Sequence, residues 1–285
     1  MYKRQLLTIE RIGDADPRPL PKYGQDARPL QDIRVLDLTR IIAGPVCGRA
    51  LAAYGADVML VNSPNLPNID NLIDTSRGKL SVLADLDTAD GRIALGNLLR
   101  SAHIFVQGYR PGGMAALGFG PQDVARIRPG IVYVSLSAYG PVGPWANRRG
   151  FDSLVQTAAG FNHAVAQAAG QDAPKPLPMQ ILDHASGYLM AFGAQVALAR
   201  QATEGGSWHV KVSLAQTAHW LRTLGRVEGG LDCPMPGFNG LLETTPSGFG
   251  ELVAVRHAAQ FSETPARWTR PSSPPGTHPT VWPFN

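Results

Sequence analysis

IRVLDLTRIIAGPVCGRALAAYGADVMLVN, residues 33–62, decides the fold. IRVLDL, 33–38, reads as a buried strand, because apolar residues run almost unbroken through it. The second half of TRIIAGPVCGRALAAYG, 39–55, is small and alanine-rich in the manner of a helix, and Gly55 supplies its stop. DVMLVN, 57–62, is a second strand. Strand, helix and strand within about 30 residues is the spacing of a parallel crossover unit.

The alternation continues outward. LSVLADL (80–86) reads as a strand, followed by a helix from Thr88 to Ala102 with Asp87 or Thr88 as its cap. HIFVQGY (103–109) and IVYVSLSAYG (131–140) are further strands. Residues 152–170 read as one helix, and ILDHASGYLMAFGAQVALARQ as a long helix beginning just after Asp183. WHVKVSL (208–214) is an amphipathic strand and AQTAHWLRTLGRV a helix. These elements predict an α/β fold: a doubly wound, mainly parallel, Rossmann-like sheet flanked by helices, with an extended C-terminal tail. Residues 1–30 read as a linker-like lead-in of charges and prolines, 31–227 as one large domain, and 228–285 as an irregular segment holding one return strand, ELVAVRHAA, and a proline-rich tail.

Composition narrows the function classes. With 44% hydrophobic and 17% charged residues over 285, the chain is globular rather than disordered. A net charge of +4 without basic runs gives no sign of a nucleic-acid partner; it suits a bland solvated surface or a small anionic ligand equally. Cys47 and Cys233 form no CxxC pair and no Cys/His spacing, so neither a disulfide framework nor a metal site is expected. No apolar run approaches the roughly 18 residues of a membrane span, and the first residues are charged, so a cytoplasmic protein without a membrane partner is expected.

The turn after the first strand, TRIIAGPVCG, is not GxGxxG, and the second strand closes on Asn62 rather than an acid, which argues against a dinucleotide site. Walker-type, GxSxG and HExxH motifs are absent. Gly44 and Gly48 suit either close helix packing or ligand contact. His163, on a small apolar helix, reads as a hydrogen-bonded core histidine, and His184 as structural. Asp183 at a helix start is by itself an ordinary N-cap, a role for which Asp is preferred.

Six blocks, taken in order, change the weight of these residues. VLDLTRIIAGPVCGRALAAYGADV, RGKLSVLADLDTADGR, FVQGYRPGGMAALGFG, YVSLSAYGPVGPWANRRGFDSLVQTAAG, ILDHASGYLMAFGAQVALARQATEGG and WHVKVSLAQ together resemble the signature series of family III CoA-transferases, over residues 31–225. That family includes formyl-CoA transferase and carnitine CoA-transferase, with alpha-methylacyl-CoA racemase as a relative. The resemblance implies transfer of CoA from an acyl-CoA to a free carboxylic acid through a covalent aspartyl intermediate on Asp183, because the chemistry passes through acyl anhydrides and an aspartyl-CoA thioester. It implies CoA contacts at Arg40, Ala43, Lys79, Tyr109, Arg110 and Tyr139, with the cations on phosphates and Tyr109 over the adenine or pantetheine. Coenzyme A is then a substrate, with no permanently bound cofactor. A homodimer, or association with a second related half, is the implied assembly.

The departures matter as well. The racemase relative places a second acid/base histidine in a GHD motif, and here Phe151 holds that position in GFD. Racemisation of a 2-methylacyl-CoA is therefore the weaker alternative. The family's second, smaller domain is largely missing between AQTAHWLRTLG and the SETPARWTRP return segment, so Gly229, Gly230, Gly248 or Gly250 would have to imitate its glycine-rich lid. This leaves a second reading, a non-catalytic or half-site module that binds a CoA thioester and needs a partner subunit.

Overall fold

The computed structural model describes residues 5–20, 24 and 27–283. Seven strands form one sheet: β1 (Thr8–Gly13), β2 (Arg34–Leu38), β3 (Asp57–Asn62), β4 (Lys79–Leu83), β5 (Ile104–Gln107), β6 (Val132–Ser137) and β7 (Ser207–Ser213). Their order is β1-β7-β6-β5-β2-β3-β4. All neighbours are parallel except β1, which runs antiparallel along β7. The chain winds one way through β2, β3 and β4, then returns to the other side of β2 with β5. That reversal opens a crevice beyond the carboxyl ends of β2 and β5, where sheets of this kind bind ligands.

Nine helices among the described residues join and cover the strands: α1 (Ala43–Ala53), α2 (Leu72–Thr75), α3 (Ala89–Leu99), α4 (Gly113–Ala116), α5 (Pro121–Ile127), α6 (Asp152–Ala158), α7 (Phe161–Ala168), α8 (Ile181–Glu204) and α9 (Leu214–Thr223). Strand alternation sends Val35, Val58, Ile104 and Val134 to one face, where Cys47 and Leu51 of α1 and Met190 and Ala194 of α8 bury them. Leu36, Met59, Phe105 and Tyr133 go to the other face, against Leu95 and Leu99 of α3 and Val124 of α5. Helix α8 presses on α1 at Gly187, where a Cβ would stand 2.5 Å from the Ala43 carbonyl oxygen. The helix carrying Asp183 can therefore lie on the first turn of α1 only because residue 187 has no side chain.

The doubly wound sheet is as the sequence predicts, and four local expectations are corrected. The lead-in is not irregular throughout: Thr8–Gly13 pairs along β7 as an edge strand, an alternation masked by its charged residues. Residues 1–4, 21–23 and 25–26 of that segment lie outside the described residues. The expected helix 152–170 is two helices, parted at Gly160 with φ 81°. The segment after Glu228 holds a second strand, β8 (Leu242–Ser247), in a hairpin with β9 (Gly250–Val255). Last, α8 begins at Ile181, so Asp183 lies inside its first turn and is not the N-cap.

Candidate functional site

A cavity of about 340 Å³ opens at the crevice. The β2–α1 loop supplies Thr39, Arg40, Ile41 and Ile42, and the first turn of α1 supplies Ala43 and Gly44. Gly108, Tyr109 and Arg110 enter after β5; Ser137, Ala138 and the Arg148–Phe151 segment follow β6; and Asp183 comes from α8. Asp183 is the acid of this wall, set against the guanidinium groups of Arg40, Arg110, Arg148 and Arg149. A second cavity of about 320 Å³ beyond β3 and β4 shares Leu38, Leu66, Tyr109 and Arg110 with the first, so the two form one groove across the switch point.

The acid is held from outside its own helix. N-cap Gln180 makes no side-chain cap to α8. Instead the Asp183 N–H donates to Asp152 Oδ2 at 2.8 Å, and Asp152, at 1% exposure, stands in the first turn of α6. Gln156 Nε2 donates to the other Asp152 oxygen and, at 2.9 Å, to the Met179 carbonyl. Burial first, and the Asp152 charge second, push the Asp183 carboxyl up to about 7. A carboxylate so placed stays basic enough to attack yet is substantially ionised near neutral pH.

The same fold has been met before. A family model described as CoA-transferase family III matches residues 30–228. The chain belongs to the family III CoA-transferases. It is 34% identical over 206 residues to "Probable fatty acyl-CoA transferase Rv3272" of Mycobacterium tuberculosis, a match covering 67% of this chain and 52% of that protein. It is 30% identical to a succinate–glutarate CoA-transferase of Agrobacterium fabrum, over 65% of this chain and 51% of the relative. The crystal structure of Rv3272 superposes with a TM-score of 0.64 at 32% identity, covering 70% of this chain and 59% of that one. A CAIB/BAIF family protein from Brucella suis shares the fold with a TM-score of 0.62 at 24% identity, over 79% of this chain and 65% of that one. The chain thus spans about half the length of these curated relatives.

On this family III scaffold, Arg40, Ala43, Tyr109, Arg110 and Asp183 meet in one cavity. Arg40 donates to the Pro67 carbonyl, while its Nε is buried and has no partner among the described residues. Burial also raises the Tyr109 hydroxyl, against the opposing pull of Arg40. Lys79 corrects the expectation of a phosphate contact: it is fully buried, and its Nζ lies 2.7 Å from Asp37 Oδ2 and 2.8 Å from the Pro45 carbonyl oxygen. Tyr139 does not line the cavity either. Its ring meets Trp145 edge-on at 5.1 Å, and Trp145 in turn carries the Arg148 guanidinium at 4.9 Å, so Tyr139 supports the wall from behind.

His163 is exposed rather than a core histidine. His184 is half-buried, with its pKa lowered first by burial and then by Arg49. Of the lid candidates, Gly229 and Gly230 line a separate groove beside α7 and the end of α9, and Gly248 and Gly250 form the β8–β9 turn; none reaches Asp183. Gly44 and Gly48 are required by packing, since a Cβ would stand 2.3 Å from Thr39 and 2.2 Å from Asp37 Oδ2 respectively. Gly44 also lines the cavity. Asp152 is the acid of the GFD stretch, where sequence reading weighs only Phe151; its bond to the Asp183 amide is what the fold adds.

Among the described residues no cluster of His, Cys, Asp and Glu is arranged to hold a metal ion. None of their helices is long and apolar enough to cross a membrane.

Proposed function

We propose that this chain binds an acyl-CoA along the groove and transfers CoA to a free carboxylic acid with Asp183 as nucleophile. One observation carries the reading: a buried carboxylate, raised to about 7, lines a cavity whose other charged groups are four arginines. The Asp183 oxygen attacks the thioester carbonyl, the C–S bond breaks, and CoA thiolate leaves an acyl-aspartyl anhydride. Thiolate then attacks the aspartyl carbonyl carbon, releasing the donor acid and leaving an aspartyl-CoA thioester. The acceptor carboxylate and the returning thiolate repeat these steps in reverse, restoring Asp183. Protons balance throughout, because each step exchanges one anion for another.

Arg40 and Arg110 suit the phosphates of CoA, and Tyr109, shared by both cavities, suits its adenine or pantetheine. The racemase alternative draws no support from the cavity: Phe151 stands where its histidine would, 67% exposed, and offers no proton. The half-length match supports a second reading, in which this chain is one half of a site completed by a related subunit. Exchange of CoA from a panel of acyl-CoAs onto isotopically labelled carboxylates tests both. Turnover by the purified chain alone supports the transferase and removes the half-site reading. CoA binding without exchange, with turnover only after a second subunit is added, supports the half site. Neither binding nor exchange sinks both.

A further inference from the structure

Lys79 lies outside the cavity, yet its ammonium grips the cavity wall at both ends. It donates to Asp37 Oδ2 at 2.7 Å and to the Pro45 carbonyl, in the first turn of α1, at 2.8 Å. The other Asp37 oxygen accepts the Thr39 hydroxyl, at the start of the loop. Between these two anchors run Arg40, Ile41, Ile42, Ala43 and Gly44, all of them cavity-lining. Ile41 has φ 74°, a left-handed conformation that a β-branched side chain strongly resists. Gly44 and Gly48 let α1 close over Thr39 and over the ion pair, where any side chain would collide.

A fully buried ion pair adds little net stability over an apolar pair of similar volume, so fold stability is a poor account of this one. What it does supply is a fixed geometry for a loop that would otherwise relax. We infer that Asp37 and Lys79, tied to the loop through Thr39, are positioning residues that hold Thr39–Gly44 in the conformation able to receive the CoA thioester. The ligand's identity here rests on the proposed function. Without the clamp Ile41 returns to negative φ, the loop occupies the receptive shape for only part of the time, and apparent affinity falls by that fraction.

The test uses two variants. Asp37→Val/Lys79→Met removes the pair without leaving a lone buried charge, and Thr39→Val cuts the tie while the ion pair stays. Crystal structures report the Ile41 backbone; calorimetry reports CoA affinity; kinetics separate KM from kcat. In both variants we expect a folded protein, Ile41 out of the left-handed region, and CoA affinity and KM weakened on the order of tenfold with kcat largely kept, as for a loop competent about a tenth of the time. Unchanged affinity, with Ile41 still at positive φ in both variants, overturns the inference. If the wild-type protein itself binds no CoA, the ligand assignment fails, and the Ile41 conformation in the two variants still decides whether the clamp exists.

Discussion

Asp183 is acidic chemistry placed by a second acid. Its elevated pKa comes mainly from burial and then from Asp152, so the two carboxylates have separate tasks: Asp152 accepts the backbone amide, and Asp183 is the proposed nucleophile. In the proposed reaction the carboxylate attacks, so kcat/KM should fall as pH drops through about 7. Asp152→Asn keeps an amide acceptor but removes the charge, and should move that acid limb to lower pH in a pH–rate profile. Asp183→Asn should lower exchange on the order of a thousandfold or more while CoA still binds, read by steady-state kinetics beside calorimetry. Residue-level sequence reading reached Asp183 through the ordered blocks, since a helix start alone makes it an ordinary cap. It quoted Asp152 in GFD but missed its role beside Asp183, because that contact spans 31 residues and is made by folding. It misplaced Lys79 because lysine at a strand end is ordinarily solvated, and nothing local announces Asp37 as its buried partner.

At the scale of elements, two features set the site: the α1–α8 crossing and the β6–β7 pair. Gly187→Val would drive a side chain into the Ala43 carbonyl and the Val46 side chain, so it should cost roughly 1–3 kcal/mol in denaturant titration and also displace Asp183. His209 on β7 sits 2.7 Å from Ser135 Oγ on β6 and edge-on to Tyr133. Its pKa is depressed to about 4, chiefly by burial and then by Lys211. The folded state thus resists taking a proton that the unfolded chain accepts at its ordinary value of 6.5. Stability should decline as pH falls from about 6.5 toward 4, by up to about 3 kcal/mol from this group, and His209→Asn should flatten that limb. The parallel strands were legible because strands buried on both faces must be apolar throughout. The β1 and β8 strands were not, because one-sided, charge-bearing edges carry no such run.

For the molecule as a whole, the return segment is the structural surprise. A tail read as merely extended covers the open edge of the sheet: the Ser81 N–H donates to His278 Nδ1 at 3.0 Å, and the His278 N–H returns a bond to the Ser81 carbonyl at 2.9 Å. Trp282 Nε1 donates to the Leu98 carbonyl at 2.9 Å. Trp268 does the same to the Arg49 carbonyl at 3.0 Å, beneath the Arg77 guanidinium at 3.9 Å. Prolines made this segment look unstructured, whereas its anchors are single side chains with no periodicity to detect. Trp282→Ala should cost roughly 3 kcal/mol, and removal of the tail after Val255 should bare the β4 edge and promote association, measured by light scattering. The proposed reaction stands on covalent acylation of Asp183. Incubating the protein with an acyl-CoA and hydroxylamine, then mapping peptides by mass spectrometry, reads that step out. A hydroxamate on Asp183 is expected, dependent on acyl-CoA and absent from Asp183→Ala. CoA binding with an unmodified Asp183, or a hydroxamate at another carboxylate, would contradict it.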